Sequence, residues 1–229
     1  MRSTPPPTPT AAPTTRLSVM VVLLSFATGA ADAFAFSELG GVFTANMTGS
    51  VILSGLTGRP GYGALVAGAG TALGAFLIGV YLASSATPKR PGTSWRRIRS
   101  VLLAVVALHL VVVVLRSVHS TPGTTLRLLM LATAAGAMGA QTAAAKRSVH
   151  GAGVTTTYVT GTLTSLAQDA VDGSRRYAGV RVAVVVMLAL GAMTASGAMA
   201  IDARLGPVVA AVSTAVAILA LPRAGSPMP

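Results

Sequence analysis

Residues 41–50 read GVFTANMTGS, and residues 153–162 read GVTTTYVTGT. The second stretch follows the first after 112 residues, and 5 of the 10 positions are identical in register: Gly, Val, Thr, Thr and Gly. A polar Thr-Gly pair at matching points of two hydrophobic halves is typical of discontinuous membrane helices at a binding site. The repeated phrase therefore predicts a duplicated membrane protein with a polar interior site.

The composition is that of a multi-pass membrane protein. Hydrophobic residues make up 52% of the 229 residues, charged residues make up 10%, and the mean hydropathy is +0.72. Much of the helix surface must therefore face lipid rather than water. The chain has no cysteine, and its three histidines lack ligand-like spacing, so we expect neither a metal site nor a cofactor. No nucleophile or acid–base pair is visible in the apolar runs, which argues against an enzyme.

Six apolar runs are long enough to cross about 30 Å of hydrocarbon at about 1.5 Å per residue. They are Leu17–Phe36, Tyr62–Ser84, Val101–Val118, Leu126–Ala145, Val180–Ile201 and Gly206–Leu221. Two further stretches, Gly41–Gly58 and Gly153–Ala167, are apolar but short and rich in Thr and Gly. These two stretches contain the repeated phrase.

The basic residues decide whether the two short stretches cross. The net charge is +12, but the 17 basic residues lie between apolar segments, where they set topology, so we expect no nucleic-acid partner. If the short stretches dip in and return, thirteen basic residues lie on the inside: Arg2, Arg16, Lys89, Arg90, Arg96, Arg97, Arg99, Lys146, Arg147, Arg175, Arg176, Arg181 and Arg223. Four lie outside: Arg59, Arg116, Arg127 and Arg204. An eight-span topology with the N-terminus inside would instead place the loop around Lys89–Arg99 outside, against the positive-inside rule.

These counts predict an all-α integral membrane protein with six transmembrane helices plus two short re-entrant or broken helices. Three spans per repeat force the second copy to enter from the opposite side, so the repeats are inverted. The alternative is eight spans in a parallel four-plus-four repeat. Residues 72–75 and 189–192 both read ALGA, which supports a match between the third elements of the two halves. The expected segments are a disordered cytoplasmic tail over 1–16, membrane repeats over 17–118 and 126–221, and a C-terminal tail over 222–229.

Polar residues at membrane depth form the candidate substrate site. Asp32 is the one carboxylate well inside an apolar run, and such a group is costly enough to indicate function. Its alternatives are a structural acid paired with a neighbouring helix or a group wetted near the surface. The Thr-Gly pairs are predicted to break their helices and free backbone groups for a ligand. The other candidates could equally hydrogen-bond between helices, and the whole set is Asp32, Asn46, Thr48, Gly49, Gln141, Thr157, Tyr158, Thr160 and Gly161.

The glycines of the second apolar run indicate close packing rather than chemistry. Gly70 and Gly74, with Gly63, Gly68 and Gly79 nearby, give one helix a flat strip on which another helix can approach closely. We expect this strip to pack inside the bundle or against a second copy of the chain. The second case would make the protein a homo-oligomer through the Gly70/Gly74 face.

Two ordered stretches resemble the YoaK-type family of bacterial multi-pass membrane proteins. The first runs from Gly29 through Asp32 and residues 39–43 to Asn46-Met47-Thr48-Gly49, and the second runs from Gly139-Ala140-Gln141 to residues 156–163. Ser50 and Thr142 depart from the family pattern, which has Asn at both places. The resemblance implies an integral membrane protein of a family with a domain of unknown function, and it implies no substrate.

Function is therefore predicted from architecture. The leading hypothesis is a small secondary transporter or permease for a small solute or ion in the cell membrane, with Asp32 as a candidate coupling carboxylate and both termini in the cytoplasm. The rival hypothesis is a non-transporting membrane assembly, sensor or structural protein. Binding of a small ligand at a central cavity would separate the two.

Overall fold

The computed structural model describes residues 15–87, 95–148, 159–174 and 177–221. Every regular element in these ranges is an α-helix. The eight helices are α1 (Thr15–Glu38), α2 (Met47–Ser54), α3 (Tyr62–Ala86), α4 (Trp95–Val118), α5 (Thr124–Ser148), α6 (Val159–Val171), α7 (Ala178–Ile201) and α8 (Leu205–Leu219). The all-helical class predicted from the sequence is therefore correct, and α1 begins inside the tail predicted over residues 1–16.

Five helices are long and apolar enough to cross a bilayer: α1, α3, α4, α5 and α7. Each contains 24 or 25 residues, which corresponds to about 36 Å of helix. The sixth expected span is α8, which has only 15 residues and a length of about 23 Å. Large apolar side chains point outward along the spans, as lipid-facing surface requires; examples on α3 are Leu77, Ile78 and Leu82.

The two short stretches contain short helices that begin near their Thr-Gly pairs. Within the described residues, α2 has 8 residues and α6 has 13, and neither length is enough to span. Thr48-Gly49 and Thr160-Gly161 follow the first described residues of these helices, Met47 and Val159, and residues 151–158 lie outside the described part of the chain. In the first half, the direction of the chain changes at Gly40 and Gly41, which have φ angles of 107° and 75°. Positive φ suits glycine because it has no Cβ to clash.

Two buried clusters mark opposite ends of the bundle. The first, the proximal core, joins Leu17–Leu24 of α1 to Ala83, Trp95–Leu102, Ala143–Ala145, Val184 and Ala217–Leu221. The second, the distal core, joins Phe34–Leu39 of α1 to Leu65–Ala72, Val112 and Met130–Ala135, with Met199 packed against it. The helices α1, α4 and α7 thus begin near the proximal core and end near the distal core. α3 and α5 begin near the distal core and end near the proximal core. α8 runs in the same direction, because Gly206 near its start packs on Phe34 and its last turn joins the proximal core.

Four glycines allow the closest helix contacts in the bundle. A Cβ on Gly29 of α1 would overlap the carbonyl oxygen of Leu188, and a Cβ on Gly191 of α7 would overlap that of Phe26. In the second pair, a Cβ on Gly79 of α3 would overlap the carbonyl oxygen of Gly136, and one on Gly139 of α5 would overlap that of Phe76. In all four cases the carbonyl lies three residues before the opposing glycine. Each pair is therefore a reciprocal glycine crossing of two parallel helices.

The glycine crossings do not coincide with the register of the ALGA stretches. That match makes Gly74 the equivalent of Gly191 in the other half. A Cβ on Gly74 would meet nothing within 4 Å, whereas Gly79 lies at a helix crossing, as Gly191 does. Gly70 and Gly63 also have nothing within 4 Å. Gly63, Gly70 and Gly74 therefore do not pack inside the bundle, and the glycines of α3 that do pack closely are Gly68 and Gly79.

Candidate solute site

Asp32 holds the chain segment that precedes α2. Its Oδ1 atom accepts hydrogen bonds from the backbone N–H of Thr44 at 2.7 Å, the Thr44 hydroxyl at 2.9 Å and the N–H of Ala45 at 2.7 Å. Its Oδ2 atom accepts one from the N–H of Asn46 at 3.1 Å. These backbone groups precede a helix and have no partner within it, so the carboxylate provides acceptors that lipid cannot. Asp32 therefore draws residues 44–46 back to the level of its own helical turn.

Asn46 starts α2, and Gly49 fits beneath it. The Asn46 Oδ1 atom accepts the N–H of Gly49 at 3.1 Å, which is the usual contact of an N-cap residue. A Cβ on Gly49 would come within 3.0 Å of both the Asn46 side-chain amide and the Phe43 ring. Gly49 thus lets the cap and the ring pack closely, and a larger residue would make the Asn46 or Phe43 side chain shift.

The first turns of the two short helices line one cavity of about 670 Å³. α2 contributes Thr48 and Gly49, its cap contributes Asn46, and α6 contributes Val159 and Thr160. α2 also contributes Ile52, and the rest of the wall comes from α1, α7 and the segment before α2: Thr28, Gly29, Asp32, Ala33, Phe36, Ser37, Phe43, Ala45, Leu188, Ala192 and Ser196. The volume falls within the range of about 300–1,000 Å³ that small-molecule sites occupy.

Gln141 lies behind the cavity and does not line it. Its Nε2 atom donates to the Leu24 carbonyl and to the Thr28 hydroxyl, both at 3.1 Å, and its Oε1 atom accepts the Thr214 hydroxyl at 3.2 Å. The amide is fully buried, and these three partners belong to α1 and α8. Gln141 therefore does not line the cavity, and its hydrogen-bonding groups link α5 to α1 and α8.

The structure brings together five of the nine residues predicted for the site: Asp32, Asn46, Thr48, Gly49 and Thr160. Gly161 follows Thr160 in α6 without lining the cavity, and Thr157 and Tyr158 lie outside the described residues. Sequence reasoning missed Thr28, Phe36, Phe43 and Ser196. For two of them a signal was present, because Thr28, Asp32 and Phe36 recur every four residues and so share one helix face.

The charge of the cavity wall comes from Asp32. Among the described residues that line it, none is Lys, Arg or His. The buried arginines pair elsewhere: Arg116 donates to Glu38 at 3.1 Å, and Arg181 donates to Asp169. The first pair lies at the distal end of α1 and α4, and the second ties α6 to α7. Neither of these arginines reaches the cavity.

Comparison with known proteins identifies the family. The chain is 36% identical to UPF0700 transmembrane protein YoaK of Bacillus subtilis (strain 168) over 154 residues, which cover 66% of each chain. The aligned region thus spans just under two thirds of that relative's length. No solved structure matches. The profile of a family described as a protein of unknown function (DUF1275) matches residues 20–221. Because that match covers nearly all of the chain, this multi-pass membrane protein belongs to the DUF1275 family.

Proposed function

We propose that the protein is a small secondary transporter or permease that binds its solute in the cavity between α2 and α6. The observation that carries the proposal is the convergence of the first turns of both short helices on one partly polar cavity. Half-depth helices whose ends meet inside a bundle are the usual construction of solute sites in transporters. A protein that needed the two segments only for packing would have no reason to leave a half-open, partly polar cavity between them.

The proposal includes two inverted repeats of three spans each, with α2 and α6 as the re-entrant elements. α1 ends and α3 begins at the distal core, while α5 ends and α7 begins at the proximal core. Neither short helix therefore needs to cross. Contacts also correspond: α1 packs on α7 and α8 as α5 packs on α3 and α4. Gly139 follows Gly29 by 110 residues and Gly191 follows Gly79 by 112, so one two-fold axis would relate the two glycine crossings.

The charge distribution supports an orientation with the proximal core towards the cytoplasm. Residues at the proximal ends of the described helices include Arg16, Arg96, Arg97, Arg99, Lys146, Arg147 and Arg181. The distal ends carry four basic residues, Arg59, Arg116, Arg127 and Arg204. Positive residues favour the cytoplasmic side. Both termini then lie in the cytoplasm of a cell-membrane protein.

Cysteine labelling tests this topology, because the chain has no cysteine of its own. In intact cells, we expect Ser120→Cys to react with a membrane-impermeant thiol reagent and Ser94→Cys to react only after the membrane is opened. The eight-span alternative predicts the reverse pattern for the two sites. Labelling of Ser94→Cys in intact cells with Ser120→Cys protected would therefore replace the six-span arrangement.

Uptake into liposomes tests the transport function. Purified protein in liposomes is screened against cationic, anionic and neutral small solutes, and protein-free liposomes give the background. For any solute taken up, Thr48→Val and Thr160→Val should each reduce the initial rate about tenfold, because they keep side-chain volume but delete a hydroxyl from the cavity wall. Thermal unfolding of both variants should stay close to that of the parent protein.

Thr194→Val provides the matched control for these variants. Thr194 lies on α7, is exposed, and donates its hydroxyl to its own helix at the Leu190 carbonyl. It does not line the cavity, so its uptake rate should equal that of the parent protein. Equal rates in all three variants would remove the cavity as the transport site, whereas uptake of no solute at all would favour an assembly, sensor or structural role.

The exposed small face of α3 supports a homo-oligomer. Gly70 and Gly74 are exposed and have open space where a Cβ would lie. Small residues on a lipid-facing surface let another helix approach closely. We therefore keep the Gly70/Gly74 face as the proposed contact with a second copy.

A further inference from the structure

We infer that the solute of the proposed site is a small organic ammonium compound, with its charged nitrogen seated between Asp32, Phe36 and Phe43. The inference rests on the proposed function, since it names the substrate class of that site.

The Asp32 carboxylate has hydrogen-bond acceptor capacity that the protein does not use. A carboxylate offers about four acceptor positions, two on each oxygen. Oδ1 accepts three hydrogen bonds, whereas Oδ2 accepts only the Asn46 N–H. Oδ2 thus has an acceptor position left, in a residue that lines the cavity.

Two aromatic rings line the same cavity as Asp32. Phe36 is four residues after Asp32 on α1 and so shares its helix face. The rings of Phe36 and Phe43 stack with centroids 5.1 Å apart and an interplanar angle of 21°. Both line the cavity, and Phe36 is 48% exposed although it is fully apolar. The negative face of an aromatic ring attracts a cation, and ring faces next to a carboxylate form a common site for ammonium groups.

The sign of the local charge favours a cation over an anion. An ammonium group about 4 Å from a carboxylate gains about 4 kcal/mol at an effective dielectric constant of about 20, and an anion there would lose as much. The positive ends of α2 and α6 oppose this preference, but a helix terminus contributes only about 0.3–1 kcal/mol. No basic side chain among the described lining residues is present to receive an anion. Hydroxyl oxygens of Thr28, Thr48, Thr160 and Ser196 line the cavity and can accept further N–H groups.

Calorimetric titration of the purified protein in detergent tests the inference with three probes of similar size: ethylammonium chloride, sodium acetate and glycerol. We expect ethylammonium to bind and the other two not to bind. Phe36→Leu should weaken ethylammonium binding about 2- to 30-fold, which corresponds to about 0.5–2 kcal/mol of cation–π attraction. Tyr81→Leu is the matched control, because Tyr81 is 71% exposed on α3 away from the cavity and should bind as the parent does.

Asp32→Asn should weaken ethylammonium binding at least tenfold. If that variant does not fold, the ethylammonium affinity of Phe36→Leu is compared with that of Tyr81→Leu, and this comparison tests the inference. Binding of acetate or glycerol in place of ethylammonium would overturn the ammonium class and leave the solute site standing. Absence of binding by all three probes would also overturn it, and if no solute of any class were taken up by liposomes, the transport function itself would fail. Ethylammonium binding that is unchanged in Phe36→Leu would place the cation elsewhere and so contradict the inference.

Discussion

Gly139→Ala and Gly191→Ala should each lower the melting temperature of the protein in detergent by about 6–12 °C. A methyl group at either position would overlap a backbone carbonyl of the neighbouring helix, Phe76 for Gly139 and Phe26 for Gly191. Backbone cannot rotate away as a side chain can, so the helices must separate along their length. We expect a cost of about 3 kcal/mol, the upper part of the range for overpacking, and this corresponds to the stated temperature change for a chain of this size.

Gly74→Ala is the matched control for both substitutions. It places the same methyl group on an exposed face of α3 with nothing within 4 Å. Alanine is the better helix former by about 1 kcal/mol, so the melting temperature should stay the same or rise slightly. If Gly139→Ala and Gly191→Ala were as stable as Gly74→Ala, the close crossings of α3 with α5 and of α1 with α7 would be wrong.

Asp32→Ala should destabilise the protein by about 3 kcal/mol and free the segment before α2. The substitution removes the acceptor of three backbone N–H groups and of the Thr44 hydroxyl. Hydrogen bonds to a charged group contribute about 1.5–3 kcal/mol each, but their losses are not additive here, since water can reach part of the segment. Amide hydrogen exchange at residues 44–46 should become much faster than in the parent protein.

Asp32→Asn separates the two roles of this side chain. It retains one oxygen that can accept the bonds now made to Oδ1, and it removes the negative charge. We therefore expect slow exchange at residues 44 and 45 to persist in Asp32→Asn while ethylammonium binding is lost; exchange at residue 46 should become faster, because the amide NH2 that replaces Oδ2 cannot accept its N–H. Slow exchange in Asp32→Ala as well would show that the carboxylate does not hold this segment.

The membrane class and the helix positions could be predicted from the sequence because both depend on local composition. Each expected span overlaps an observed helix, and both Thr-Gly phrases lie at short helices. The position of the chain reversal could not be read in the same way. Gly49 and Gly41 are both glycines in one polar stretch, and only the tertiary contacts show that Gly49 packs under Phe43 whereas Gly41 takes a positive φ angle.

The candidate site was predictable in part for the same reason. Asp32, Asn46 and Thr48 stand out as polar residues in apolar surroundings. Gln141 stands out equally in the sequence. Its hydrogen-bond partners Leu24, Thr28 and Thr214 come from two other helices, and the sequence does not indicate that these partners engage both the NH2 group and the oxygen of its amide. Phe36 shares a helix face with Asp32, but by residue type it looks like any apolar residue of a span. Its place in the cavity depends on where the segment containing Phe43 returns to α1.

Cross-linking of Thr48→Cys with Thr160→Cys tests most directly whether the two short helices meet at one cavity. The double-cysteine variant is treated in native membranes with a bifunctional thiol reagent. The spacer between its two reactive groups is no longer than the width of the cavity. A cleavage site introduced between residues 119 and 123 separates linked from unlinked halves. We predict efficient linkage for this pair and none for Thr48→Cys with Thr194→Cys, since Thr194 lies outside the cavity wall. Equal linkage of both pairs, or linkage of neither, would contradict the convergence of α2 and α6 and the solute site with it.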